Sequence, residues 1–292
     1  MAELTKAIIP LTDPGGRFAP LSKVIPPALF PLATLPFLHY ILEELRGAGI
    51  TSALLVAHPT HKELLSRYIQ EDPAAERELA TGHEQETAQA LQNLRALLEE
   101  MNISVVADKH QSGGHALAQG RKFAGEDAFL VALPEYSFAT PSHTAQLVQA
   151  FKTSQHPILG LAEVRREQAK ESNVVTCEKI AARLHKIKEI HENPLLRQQA
   201  SALITTGRMI FTSDFFEYQK KSSLNLKEEN TIAKVIHEML KDGKLLYGYE
   251  CAGRRFMCAN QQEWLYANIE ASLAHGEYGP MIKKFIAEEH RL

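Results

Sequence analysis

The 292-residue chain is 45% hydrophobic and 23% charged, a globular composition with enough apolar residues for a sizeable core. Its 32 Lys and Arg against 35 Asp and Glu give a net charge of −3, which excludes a generally basic nucleic-acid binder, and 16 Gly with 14 Pro exclude a collagen-like or low-complexity chain. No apolar run approaches the roughly 18 residues of a membrane span, and three cysteines (Cys177, Cys251, Cys258) without a CxxC pair fit a reducing cytoplasm.

Along the chain, Lys6–Leu11 (KAIIPL) reads as a buried strand that ends in the turn Thr12–Gly16 (TDPGG). Residues Pro36–Ala48 have helical spacing, with Phe37, Tyr40, Ile41, Leu45 and Ala48 on one face. Pro36 suits the start of that helix and Gly49 its end. Ser52–Ala57 (SALLVA) is a second buried strand. Glu84–Met101 reads as a polar helix with a stripe of Ala88, Leu91, Leu94 and Leu98. Ile103–Ala107 and Ala128–Leu133 are further strands, with a Gly-containing helical stretch between them. After Pro157 come strand-like runs at Pro157–Val164, Asn173–Cys177, Leu184–His191 and Ala202–Phe211, and the tail Gln261–His290 is helical. This alternation predicts an α/β fold: a mostly parallel, mixed sheet flanked by helices on both faces, in a single domain over residues 1–292. Ligands of such sheets sit beyond the carboxyl ends of the strands.

Three features carry candidate chemistry. The turn after the first strand holds Gly15 and Gly16 beside Arg17 and Lys23; its backbone N–H groups can cup phosphate oxygens and the cations can neutralise them. A plain strand-to-helix turn has the same composition. Ser112-Gly113-Gly114-His115-Ala116 opens a helix with little steric bulk, where a flat ring or a phosphate can approach. Leu133-Pro134-Glu135 puts a carboxylate at a strand end, suited to Mg²⁺ or simply to solvent. His58 and His61 have ligand-like spacing but no acidic or thiol neighbour in sequence. His185 and His191 read as surface or packing residues of a strand.

Taken together, KAIIPLTDPGGRFAPLSKVIPPALFPLATLPFLHYILEELRGAGI, QSGGHALA, FLVALPEY, HENP, TTGRMIF and FMCANQ resemble the bacterial UTP–glucose-1-phosphate uridylyltransferases. These have the Rossmann-like nucleotidyltransferase fold of sugar-nucleotide pyrophosphorylases. The likeness runs from about Lys6 to Ala287. It implies a reaction in which a glucose 1-phosphate oxygen attacks the α-phosphorus of UTP, giving UDP-glucose and pyrophosphate, with Mg²⁺ as cofactor. It also implies roles: Arg17 and Lys23 for catalysis; Thr12, Gly15, Gly16, Gln111, Gly114 and His115 for the nucleotide; Glu192 and Gly207 for the sugar; Glu135 for the metal.

The same comparison shows departures. Asp13 stands where the family's opening turn has its first Gly, and Pro27-Ala28 replace a Lys-Glu pair. Glu135 stands for the family's metal-holding Asp, and Met257 for a second one. Asn193 replaces the Lys on the sugar phosphate, and Ser172-Asn173 replace a Tyr-Gly near the sugar. The expectation is a uridylyltransferase-family protein with a degraded active site, a weak or inactive pseudoenzyme. It would bind UTP or UDP-glucose and act as a homo-oligomer or through association with an active relative, without nucleic acid or membrane as partner. The alternative is an active nucleotidyltransferase with a rebuilt site. Phe285 and Ile286 suit either the core or an interface.

Overall fold

The computed structural model describes residues 4–81, 84–110, 113–169, 172–192, 201–222, 231–258 and 260–289. A nine-stranded sheet runs in the order Asn102–Ala107, Ser52–Ala57, Lys6–Leu11, Phe129–Ala132, Ser201–Phe211, Ile158–Arg165, Tyr247–Glu250, Leu184–Glu192, Asn173–Lys179. Its first four strands are parallel, in the register Lys6↔Ser52, Ser52↔Asn102 and Lys6↔Phe129. Beyond them Ser201–Phe211 is antiparallel to both of its neighbours. Ile158–Arg165 and Tyr247–Glu250 are parallel again, and the last two pairings are antiparallel. The extension after Pro157 is thus the mixed part of the sheet.

The strands are apolar on both faces because helices cover both. Ala7, Ile9, Leu55, Leu130 and Ala132 join one core with the helices Phe37–Gly47 and His143–Ser154. Their sequence neighbours Ile8, Leu54, Val56, Phe129 and Val131 join the other, with Phe215–Ser222 and Ile232–Lys241. A period of two therefore sorts every strand residue to one side or the other. The Phe37–Gly47 helix ends as its sequence predicts. Gly49 has φ +89°, and its N–H and that of Ile50 return to the carbonyls of Arg46 and Leu45 at 2.9 and 3.0 Å.

Three expectations need correction. In the helix Glu84–Glu99 the buried residue is Leu97, one position off the expected stripe, and Ala88 is exposed. Leu91, Leu94 and Leu98 of the expected stripe are half-buried. The tail is two helices, Gln261–Ala274 and Gly279–Glu289, and Phe285 and Ile286 on the second are 58% and 40% exposed rather than core residues. The strand Tyr247–Glu250 was not anticipated: it is short and has Gly248 inside it, where a Cβ would lie 2.4 Å from Leu161 Cδ1.

Phe129 stacks on Phe216 with ring centroids 4.9 Å apart and meets Phe215 edge-on at 5.8 Å. Phe129→Ala is expected to destabilise the protein by about 3–5 kcal/mol, read from urea unfolding.

Candidate active site

The first strand delivers a buried Thr12 and an exposed Asp13 to the carboxyl edge of the sheet. Gly15 follows with φ +79°, and a Cβ there would lie 2.5 Å from Pro27 Cγ. This position therefore requires glycine for both backbone and space. The turn's N–H is occupied: Gly15 N donates to Asp13 Oδ1 at 2.7 Å. The Asp13 carboxylate, where the resemblance puts a glycine, thus engages one backbone donor of the turn. Gly16 is open to solvent.

A cleft of about 350 Å³ opens beyond this strand and its neighbour Phe129–Ala132. It brings together Thr12, Asp13, Glu135, Glu192, Ser172, Asn173 and Met257 from distant parts of the chain. Among its described lining residues the charged ones are Asp13, Glu135 and Glu192, with no lysine or arginine. Arg17 and Lys23 are exposed on the short helical turns Gly16–Phe18 and Leu21–Lys23, outside this lining. Gly114 is buried in the helix Gly113–Gln119, and the His115 ring stacks on His110 at 4.5 Å. Gln111, Ser112 and Asn193 lie outside the described residues.

Gly207 is buried against Glu135: a Cβ there would lie 2.7 Å from Glu135 Cδ. Its contact is with the expected metal residue, and bare backbone is what lets that carboxylate lie flat. Glu135 Oε1 accepts from Arg255 Nη1 at 3.1 Å, and the two side chains are 12% and 10% exposed. Met257 Sδ accepts a hydrogen bond from Ser172 Oγ at 3.8 Å. The two positions where the resemblance puts metal-holding carboxylates thus carry one carboxylate already in an ion pair and one thioether. Mg²⁺ demands hard oxygen donors in near-octahedral array, and a thioether is a soft ligand. This donor set does not fit Mg²⁺, and among the described residues no group of three His, Cys, Asp or Glu is placed to hold a metal.

Behind the cleft, Arg208 is 2% exposed. Its Nη2 donates to Glu44 Oε2 at 2.6 Å, its Nε to Glu44 Oε1 and Thr144 Oγ1 at 3.2 Å each. Its Nη1 and Nη2 also donate to the carbonyls of Leu133 at 2.8 Å and Glu135 at 3.1 Å. Thr144 donates to Glu44 Oε1 from both N and Oγ1, at 3.0 and 2.6 Å. Burial alone would raise the Glu44 pKa; the Arg208 charge and these hydrogen bonds outweigh it and hold the carboxyl below its ordinary value. Glu44 and Arg255 are the residues that sequence reasoning missed. The only signal for Arg255 is its place two residues before Met257, in the strand Arg254–Phe256.

A mostly apolar cavity of about 90 Å³ shares Pro10, Asp13 and Pro134 with the cleft and lies among Phe18, Pro27, Phe30 and Trp264. Pro27 and Ala28 line it where the resemblance puts a Lys-Glu pair, so this wall is apolar. His61 is buried on the same wall, and His58 is bonded to Thr60 through Nδ1 and Oγ1 at 2.7 Å. Burial pushes the Cys251 and Cys258 thiols up to about 12, so neither is a nucleophile at neutral pH. His185 is buried in a contact with Glu250, whereas His191 is exposed.

Glu44→Gln should cost about 3–5 kcal/mol, because it leaves the buried Arg208 without its counter-charge. The sign with pH follows from the lowered carboxyl. The pair's contribution is complete above the unfolded pKa of roughly 4.3 and is lost as pH falls through the lower folded value. Melting temperature should therefore fall with acid below that point in the wild type, and less steeply in Glu44→Gln. Equal slopes would show that this carboxyl does not titrate on folding.

Residues 7–264 match the family model described as nucleotidyl transferase. The "Putative UTP–glucose-1-phosphate uridylyltransferase" of Bacillus subtilis (strain 168) is 30% identical over 266 residues, 90% of this chain and 94% of that protein. Among solved structures, an apo UDP-glucose pyrophosphorylase superposes with a TM-score of 0.82 at 27% identity, over 91% of this chain and 97% of its own. A UTP-bound UGPase from Acinetobacter baumannii superposes with a TM-score of 0.84 over 98% and 99%, at 22% identity, a likeness of fold.

Proposed function

The chain belongs to the nucleotidyl transferase family, among the UTP–glucose-1-phosphate uridylyltransferases, and we propose that its cleft holds UTP or UDP-glucose while transferring uridylyl groups weakly or not at all. Its role would then lie in association with its own copies or with an active relative. A cytoplasmic location and a single domain over residues 1–292 complete the proposal.

The observation that carries this reading is the charge of the cleft. Attack of a sugar phosphate on the α-phosphorus of UTP builds negative charge on the transferring group, and protein catalysis of such a step is almost wholly alignment and charge neutralisation. Here the Gly15 N–H is taken by Asp13, and the described lining residues supply carboxylates without a cation. At about 6 Å, a carboxylate beside a phosphate costs roughly 3 kcal/mol at an effective dielectric of 20, and about half of that once solvent screens the exposed Asp13. A neutral sugar and a uracil ring meet no such penalty. Thr12, Ser172, Asn173 and Thr206 offer them hydroxyl and amide partners.

The second reading, an active transferase, is favoured by the continuous family match over residues 7–264. A steady-state assay with UTP, glucose 1-phosphate and Mg²⁺ separates the two. We expect turnover far below about one per second, and a rate at or above that value rejects the first reading. In parallel, Asp13→Asn keeps an acceptor for the Gly15 N–H and removes the charge. It should tighten UTP by about tenfold in calorimetry; unchanged or weaker affinity would show that Asp13 does not oppose the triphosphate.

Support for self-association comes from the two C-terminal helices, which expose Leu265, Ile269, Met281 and Phe285, the last at 58%. Side chains of this size gathered on one part of a surface mark an interaction site more often than chance. Light scattering should show a dimer or larger species, and Leu265→Glu combined with Met281→Glu should shift it toward monomer. A monomeric wild type removes this part of the proposal.

A further inference from the structure

We infer that the cleft binds its nucleotide without a divalent cation, because the charge such an ion would lend to Glu135 is built into the chain as Arg255. The inference rests on the reading of the cleft as a uridine-nucleotide site and adds how that site is neutralised.

Glu135 leads into the strand Tyr136–Phe138, which pairs with Arg254–Phe256 in the register Phe256↔Tyr136 and Arg255↔Ser137. One step further along the ribbon sets Met257 opposite Glu135. A cation between these two positions would meet a carboxylate on one side and sulfur on the other, and the sulfur already accepts from Ser172. Glu135 itself is fixed at both ends. Its carbonyl oxygen accepts from Arg208 Nη2 at 3.1 Å, and its carboxyl lies over the bare backbone of Gly207 while accepting from Arg255 Nη1. A carboxylate held in this way is already engaged by the chain's own cation where a metal ion would need it.

Arg255 is not among the residues lining the cleft, whereas Glu135 is. The pair thus presents a neutralised wall to a phosphate rather than a direct ligand for it. In a cleft where a free ion performed this task, a chelator would expose the carboxylate and repel the nucleotide. A covalently attached guanidinium cannot be chelated.

The test is calorimetric titration of UDP-glucose, then UTP, into the full chain in excess MgCl₂ and again in excess EDTA. The wild type is expected to bind with Kd values within about threefold of each other in the two buffers. Arg255→Met should lose about tenfold or more in both buffers, because Glu135 and Met257 cannot hold Mg²⁺ in its place, while Arg255→Lys should keep the wild-type indifference to EDTA. Wild-type binding that disappears in EDTA overturns the inference and leaves the nucleotide reading standing. Arg255→Met that binds as tightly as the wild type in EDTA also overturns it, by removing Arg255 from the account. Absence of binding by both nucleotides in both buffers overturns the nucleotide reading and this inference together. Should Arg255→Met fail to fold, the wild-type comparison still decides whether the cation is needed.

Discussion

A single buried guanidinium sets the geometry of the cleft. Arg208 reaches from the strand Ser201–Phe211 to Glu44 on the Phe37–Gly47 helix, to Thr144 at the start of the His143–Ser154 helix, and to the carbonyls of Leu133 and Glu135. Five hydrogen-bonding directions in a rigid plane suit this task, and lysine could not perform it. Burying such a pair gains little net stability, since desolvation offsets most of the attraction. What it fixes is position: the backbone of the Leu-Pro-Glu turn is held by the same side chain that locks two helices onto the sheet. The place of the Glu135 carboxylate is therefore decided in the core, and Gly207 next to Arg208 keeps the space for it.

The polar groups around the cleft are paired within the chain. Asp13 accepts from the Gly15 N–H, Arg255 donates to Glu135, and Ser172 donates to Met257. Each pairing occurs where the family resemblance calls for a group that handles phosphate or metal. An internal cation sits on the strand-end carboxylate and a backbone donor on the Asp13 carboxylate, while Asp13 and Glu192 keep the lining acidic. Pairing within the chain lets these residues coexist with an intact scaffold.

Much of the fold was legible because its strands are covered on both faces and read as unbroken apolar runs, as in SALLVA and FLVA. The opening helix was legible because Gly49 and the Phe37, Ile41, Leu45 spacing agree with each other. What escaped depended on partners far along the chain. Glu44 stands between Glu43 and Leu45 and looks like any solvated helix residue; only Arg208, 164 residues away, makes it a core group. Arg255 is likewise defined by a carboxylate 120 residues earlier. The expected basic pair lies outside the described lining of the cleft. Arg17 and Lys23 are near the glycines in sequence, but the turns that carry them face solvent. Glu135, Glu192 and Thr12 were brought to one cleft as their places at strand ends imply, because the carboxyl edge of the sheet gathers whatever follows its strands.

The bond between Asp13 and the Gly15 N–H also bears on how fast anything enters. A phosphate arriving at that donor competes with an acceptor two residues away on the same loop, present at an effective concentration that a dissolved anion does not match. The loop has to release its own carboxylate first, so the delay falls on arrival and leaves departure untouched. Such a turn behaves as a tethered competitor. Its opening rate would set an upper limit on association at this donor that is the same for every phosphorylated visitor, whatever sugar or base it carries.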